Sequence, residues 1–188
     1  ILQVWRENGN GKKRGLSINL ATAYFVPKPF TPFQWAAQIT PEEYLRRVHL
    51  LQANLHAKCV DYRYHESDLS RLEAVMARGD RRVGRALLEA HNLGCRLDGW
   101  DEYFDYEKWL EALRRAGPAP DFYTTRGYGV DEILPWQTID VGVTTNFLLR
   151  EREKALRSES TPDCRTHCNG CGVRRLSERG LCDESPAV

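Results

Sequence analysis

The sequence predicts an α/β protein: a βαβ unit, then an all-helical extension, then a cysteine-bearing tail. Three observations carry this. Two runs rich in β-branched and aromatic residues, 15–26 and 59–65, flank one long stretch with helical spacing of apolar residues. Four more helical stretches follow. The last 31 residues, 158–188, hold cysteines and little apolar periodicity.

In chain order, "GLSINLATAYFV" (15–26) reads as a strand buried on both faces, as in a parallel sheet. "PKPFTPFQW" (27–35) has three prolines, which fix φ and remove donors, so it reads as an extended loop. Thr40-Pro41-Glu42-Glu43 matches a capping box with proline at the first helical position. The helix it starts runs to about His56, with Tyr44, Val48, Leu51 and Leu55 on one face. "CVDYRYH" (59–65) alternates and reads as the second strand. Helices are then predicted over 67–79, 80–94 and 105–117, stopped by Gly79, Gly94 and Gly117, with Asp80 and Asp105 as caps. Residues 118–129 read as a loop and 134–143 as extended chain. Thr144 or Thr145 caps a last helix to about Arg157. The expected divisions are therefore 1–66, 67–157 and 158–188.

Composition narrows the function classes. Lys plus Arg is 27 and Asp plus Glu 26, a formal net charge of +1, so no strong general attraction to nucleic acid or anionic lipid is implied. No apolar run approaches a membrane span, and "ILQVWRENGNGKKRG" lacks the apolar core of a signal peptide, so a cytoplasmic location with no membrane partner is expected. The chain opens on Ile1 with what reads as the last turn of a helix. A fragment is expected, its principal partner being the missing N-terminal part of the same protein.

Cys164, Cys168 and Cys171 form a Cys-x3-Cys-x2-Cys trio. Thiolates at such spacing suit zinc or an iron–sulfur centre, because a tight turn brings the sulfurs together. Asn169, Gly170 and Gly172 supply that turn. Cys182, eleven residues beyond Cys171, can be the fourth ligand, and His167 can stand in for it. Disulfides and free thiols are the competing readings. Clustering in one turn without a secretion signal favours metal. Cys59 and Cys95 are expected as inert buried thiols.

"ATAYFVPKPFTPFQW" (21–35) resembles the last barrel strand, and the loop leaving it, of radical S-adenosylmethionine (SAM) proteins in the subgroup with a cobalamin-binding domain before the barrel. "LEAVMARGDRR" (72–82), "DFY" (121–123), "LPW…ID.GV…FLLRE" (134–151) and "TPDCR…C.GCGV" (161–173) agree with it in order. The resemblance implies that the chain begins with the end of a TIM-type barrel. It implies that the parent reduces SAM on a 4Fe–4S cluster held by its own Cys-x3-Cys-x2-Cys loop near the barrel start. Only seventeen residues follow Cys171, so the trio here is not read as that loop. It is read as an auxiliary iron–sulfur cluster, with zinc the alternative. The subgroup's tail often has a further cysteine soon after "GCGV", where this chain has Arg174 and Arg175.

The resemblance also places Phe25 and Val26 at the SAM side of the barrel end, with Lys28 in reach of a carboxylate or phosphate. A packed strand and a solvated lysine are the plainer readings. Phe33 and Trp35 either stack on substrate or close the barrel mouth. Arg78, Arg81 and Arg82 crowd a helix start, where a bound phosphate or RNA backbone would explain them. A solvated charge run capped by Asp80 is the plainer account. His65 reads as a hydrogen-bonded structural residue. Trp100, Tyr103, Phe104, Tyr106 and Trp109 read as core of the helical extension, since Asp98, Asp101, Glu102 and Asp105 among them would repel phosphate. The expected function is thus the C-terminal part of a radical SAM enzyme acting on an unactivated carbon. Cobalamin-linked methyl transfer or modification of RNA, a ribosomal component or protein are the candidate forms. The alternative is a non-catalytic RNA- or protein-binding module with a zinc-bound tail.

Overall fold

The computed structural model describes residues 1–8, 16–117, 119–165 and 167–176. Cys182 and most of the stretch after "GCGV" lie outside them. The chain forms two compact units, Ile1–Phe25 with Ile39–Ser70, and Val26–Gln38 with Arg71 onward. The loop 26–38 therefore groups with the helical part, as do the described residues of the cysteine tail.

The first unit contains α1 (Leu2–Glu7), β1 (Ile18–Thr22), α2 (Pro41–Asn54) and β2 (Val60–Tyr64). β1 and β2 pair in parallel, Ile18 opposite Val60 and Thr22 opposite Tyr64. Among the described residues the sheet has these two strands, in a mixed α/β chain. Thr40 caps α2, its Oγ1 accepting from Glu43 N at 3.3 Å, with Pro41 at the first position. The carboxylate of Glu43 goes to Arg46 and Arg47, which hold it down at about 2. α2 lays Tyr44 and Val48 against Tyr62 and Tyr64. Tyr24 stacks on Tyr44, ring centroids 4.4 Å apart. Each of these buried side chains stabilises the unit by about 2 kcal/mol. Tyr44 Oη donates to the carbonyl of His65, and His65 N donates to Thr22 O, so His65 is held by its backbone.

One expectation fails here. β1 is not buried on both faces: Asn19 and Ala21 are exposed while their neighbours are half-buried, and β2 alternates in the same way, with Asp61 and Arg63 exposed. α2 covers one face only.

In the second unit, α3 (Ser67–Arg78, its first turn in the first unit), α4 (Arg81–Asn92) and α5 (Tyr106–Ala116) pack around Leu72, Val75, Val83, Ala86, Trp109 and Leu113. Asp80 and Asp105 cap α4 and α5 as predicted. Phe104, Tyr106 and Trp109 join this core, but Trp100 (63% exposed) and Tyr103 do not. Asp101 and Glu102 between them are exposed as well. Cys95 is buried there, and burial pushes its thiol up, whereas Cys59 is only half-buried.

A second cluster joins Trp35 to Tyr128, Leu134, Trp136 and Leu148, the last on α6 (Thr145–Leu156). The segment 134–143 is a run of turns, not an extended chain. Gln137 N bonds Leu134 O, Ile139 N bonds Trp136 O, and Gln137 Oε1 accepts from Leu134 N. Pro135 favours the turn and the glutamine side chain closes it. No helix among the described residues is long and apolar enough to cross a membrane.

Candidate functional site

The cysteine loop is built on α6. Thr144 caps that helix, its Oγ1 accepting from Phe147 N at 3.3 Å. The same residue's N–H donates to Cys171 O at 2.8 Å. Further along α6, Arg150 donates to Asn169 O at 2.6 Å and Lys154 to Thr161 Oγ1 at 3.0 Å. Thr161 donates to Glu151, which holds that carboxyl below its usual range. Asn169 Nδ2 closes the loop on Pro162 O at 2.8 Å. Four positions on or next to one helix thus hold Thr161, Asn169 and Cys171.

Gly172 continues this anchor with φ +102°, and a Cβ there would stand 2.7 Å from Gly142 O and 2.7 Å from Thr144 Cγ2. Only glycine fits that approach. The loop holds its thiols outward: Cys164 and Cys168 are exposed and Cys171 half-exposed, all free. Gly170 N points at Cys168 Sγ, 3.5 Å away. The donor set suits a thiolate-bound metal. Among the described residues, no three His, Cys, Asp or Glu side chains are already arranged to hold one.

The arginines separate. Arg78 is wholly buried (0% exposed), its Nη1 donating to Ala36 O at 2.7 Å and its Nη2 to Arg126 O at 3.3 Å. Its guanidinium stacks 4.7 Å from the Tyr128 ring centroid, and burial lowers its pKa. It clamps two loops and does not face a phosphate in solvent. Arg82 turns back on Asp80, Nε to Oδ1 at 3.0 Å, and lies over Phe122. Arg81 is exposed beside a cleft of about 550 Å³ with Phe122, Tyr123 and Arg126. No three-arginine patch forms.

Phe25, the last residue of the first unit, is mostly exposed; Val26, the first of the second, is buried. Lys28 is ion-paired with Glu73 on α3, both about half-exposed. That pairing fixes the lysine of "VPKP" to a helix.

A cleft of about 440 Å³ in the second unit, almost without a sequence signature, is walled by Phe30, Trp35, Leu134, Trp136, Val143 and Leu148. Gln34, Gln137, Thr144, Thr145 and Arg175 also line it. Its one sequence signal is the amide of Gln34 inside the otherwise apolar "PFQW". Comparison of the chain with protein-family models, with curated proteins and with solved structures finds no match.

Proposed function

We propose that this chain is the C-terminal part of a radical SAM enzyme whose tail carries an auxiliary iron–sulfur cluster on Cys164, Cys168 and Cys171. The observation that carries the reading is the cysteine loop itself: outward-facing free thiols on a turn tied to α6 at Thr161, Asn169 and Cys171. A disordered tail would gain nothing from such ties. Loading would draw Cys164 and Cys168 toward Cys171, with Cys182 or His167 completing the set. Such a cluster supplies electron transfer or an open iron site to the parent enzyme.

The parallel β1–α2–β2 unit supports placement at the end of a TIM-type barrel, and the open face bearing Asn19, Asp61 and Arg63 suits a polar barrel interior. SAM, and cobalamin if present, would be held by the full-length parent. Phe25, Val26 and Lys28 would stand on the SAM side. Arg81 is the residue best placed to meet an RNA or ribosomal substrate.

The test is anaerobic purification followed by an absorption spectrum and iron, sulfide and zinc analysis. Brown protein with matching iron and sulfide is the expected result. Colourless protein with one zinc would replace this reading with the alternative, a binding module with a zinc-clipped tail. The chain alone is expected to release no 5′-deoxyadenosine from SAM under reducing conditions, and release of it would overturn the assignment of the SAM-cleaving loop to another part of the parent.

A further inference from the structure

The cleft beside the tail has walls and a polar pattern that the radical-enzyme reading does not use. Most of the side-chain oxygens along its wall already accept within the protein. Gln34 is 5% exposed, and its Oε1 accepts from both Phe30 N at 3.0 Å and Trp136 Nε1 at 2.8 Å. Gln137 Oε1 accepts from Leu134 N at 3.2 Å. Asp140 Oδ1 accepts from Gly142 N and Arg175, and Glu132 takes Arg126 and Gly129 N. Thr144 Oγ1 caps Phe147 N.

The donors are a different case. Each glutamine spends its carbonyl oxygen on a backbone N–H, which leaves its amide nitrogen as a donor at the cleft wall. Thr144 serves only the third position of α6, so the N–H groups of Thr145 and Asn146 remain, at the positive end of a 12-residue helix with no acidic residue in its first turn. Trp35, 2% exposed, has an indole N–H without an acceptor among the described residues. Phe30 is held at φ 58°, a costly conformation for an aromatic residue, by the same Gln34 oxygen.

Surplus donors among apolar walls call for a ligand that brings acceptors and an apolar body. A dianion fits poorly, because Asp140 and Glu132 also line the cleft and its one arginine in the tail is already shared with Asp140. We propose that this cleft binds an organic monocarboxylate with an apolar body, its carboxylate taken by the amides of Gln34 and Gln137 and the first turn of α6. Arg175, on the turn after the cysteine loop, forms part of the wall. The inference does not depend on which metal the tail holds.

The experiment is calorimetric titration of the chain with benzoate, 3-phenylpropionate and indole-3-acetate, each paired with its neutral amide and with phenyl phosphate as the dianion. At least one carboxylate is expected to saturate, with its amide and the phosphate weaker by about tenfold. Gln137→Glu keeps the oxygen that holds Leu134 N but replaces the donor with charge, and is expected to weaken carboxylate binding by about tenfold. Gln34→Glu should do the same where its melting shows a fold. Gln52→Glu, the same charge change on α2, should leave affinity unchanged. No saturable binding by any carboxylate, equal binding of acids and amides, or equal loss in the Gln52 variant overturns the proposal.

Discussion

The N–H of Thr144 donates to the carbonyl of Cys171 at 2.8 Å, so the residue that caps α6 also fixes the last thiol of the cysteine loop. Gly172 makes this approach sterically open. Gly172→Ala puts a methyl group against Gly142 O and Thr144 at a positive φ. We expect a local cost of about 1–3 kcal/mol. Hydrogen exchange should quicken at Thr144 and across 168–176 while α4 and α5 stay protected. Unchanged exchange at Thr144 would show that the tail is held some other way.

If the tail carries the proposed cluster, Cys164→Ser, Cys168→Ser and Cys171→Ser should each lower the metal content of the purified chain. In metal-free protein the melting should shift little for Cys164→Ser and Cys168→Ser, since both side chains are exposed. Cys182→Ser and His167→Ala then identify the fourth ligand by metal analysis. A metal content that survives any of the three single serine variants would remove that cysteine from the ligand set.

Arg78 holds Ala36 O and Arg126 O from inside the second unit. Arg78→Ala empties a buried side chain and leaves two carbonyls without their donor, at about 3 kcal/mol or more. Arg78→Lys should fare little better, since an ammonium cannot span both carbonyls or stack on Tyr128 as the planar fork does. Denaturant titration reads both. A lysine variant as stable as the parent would mean that charge alone, not the fork, secures these loops.

Asp80 predicts an acid limb. Arg82 first, then the α4 N–H and Tyr123 Oη, hold its carboxyl at about 2 against an ordinary 3.8, while partial burial works the other way. Tyr123 is in turn pushed up to about 12, by burial and then by Asp80. Because the folded value is the lower one, the contribution is complete above the ordinary value and fades as pH falls toward about 2. It is on the order of 1 kcal/mol. Asp80→Asn should flatten the stability profile over that window and leave the neutral-pH melting point within a few degrees. An identical acid limb in the variant would assign it to other carboxylates.

What could be read in advance was local. Thr40, Asp80, Asp105 and Thr144 announce helix starts because a cap acts within three residues of itself. The parallel pairing of 18–22 with 60–64 follows from one helix between two strand-like runs. The cysteine spacing is visible, but its attachment to α6 is not, since the bonds from Arg150, Lys154 and Thr144 have no pattern of their own. Arg78 looked like part of a surface charge run because its two carbonyl partners lie 42 and 48 residues away. The segment 134–143 reads as extended chain because of Trp136, Ile139, Val141 and Val143, and the Gln137 side chain that helps fold it into turns is a tertiary detail. Gln34 was hidden for the same reason: what matters is which of its two amide atoms the fold has used.

The bond from Trp136 to Gln34 joins residues 102 positions apart, and the second unit is completed only by the segment 26–38. On a ribosome, Trp35 would leave the tunnel and wait while roughly a hundred more residues are made before its cluster can close. The α4–α5 pair needs no such wait, because its contacts are near in sequence. The proline-rich loop is thus made early and finished late. During that interval its aromatic residues are the part of the nascent chain that a chaperone would find exposed.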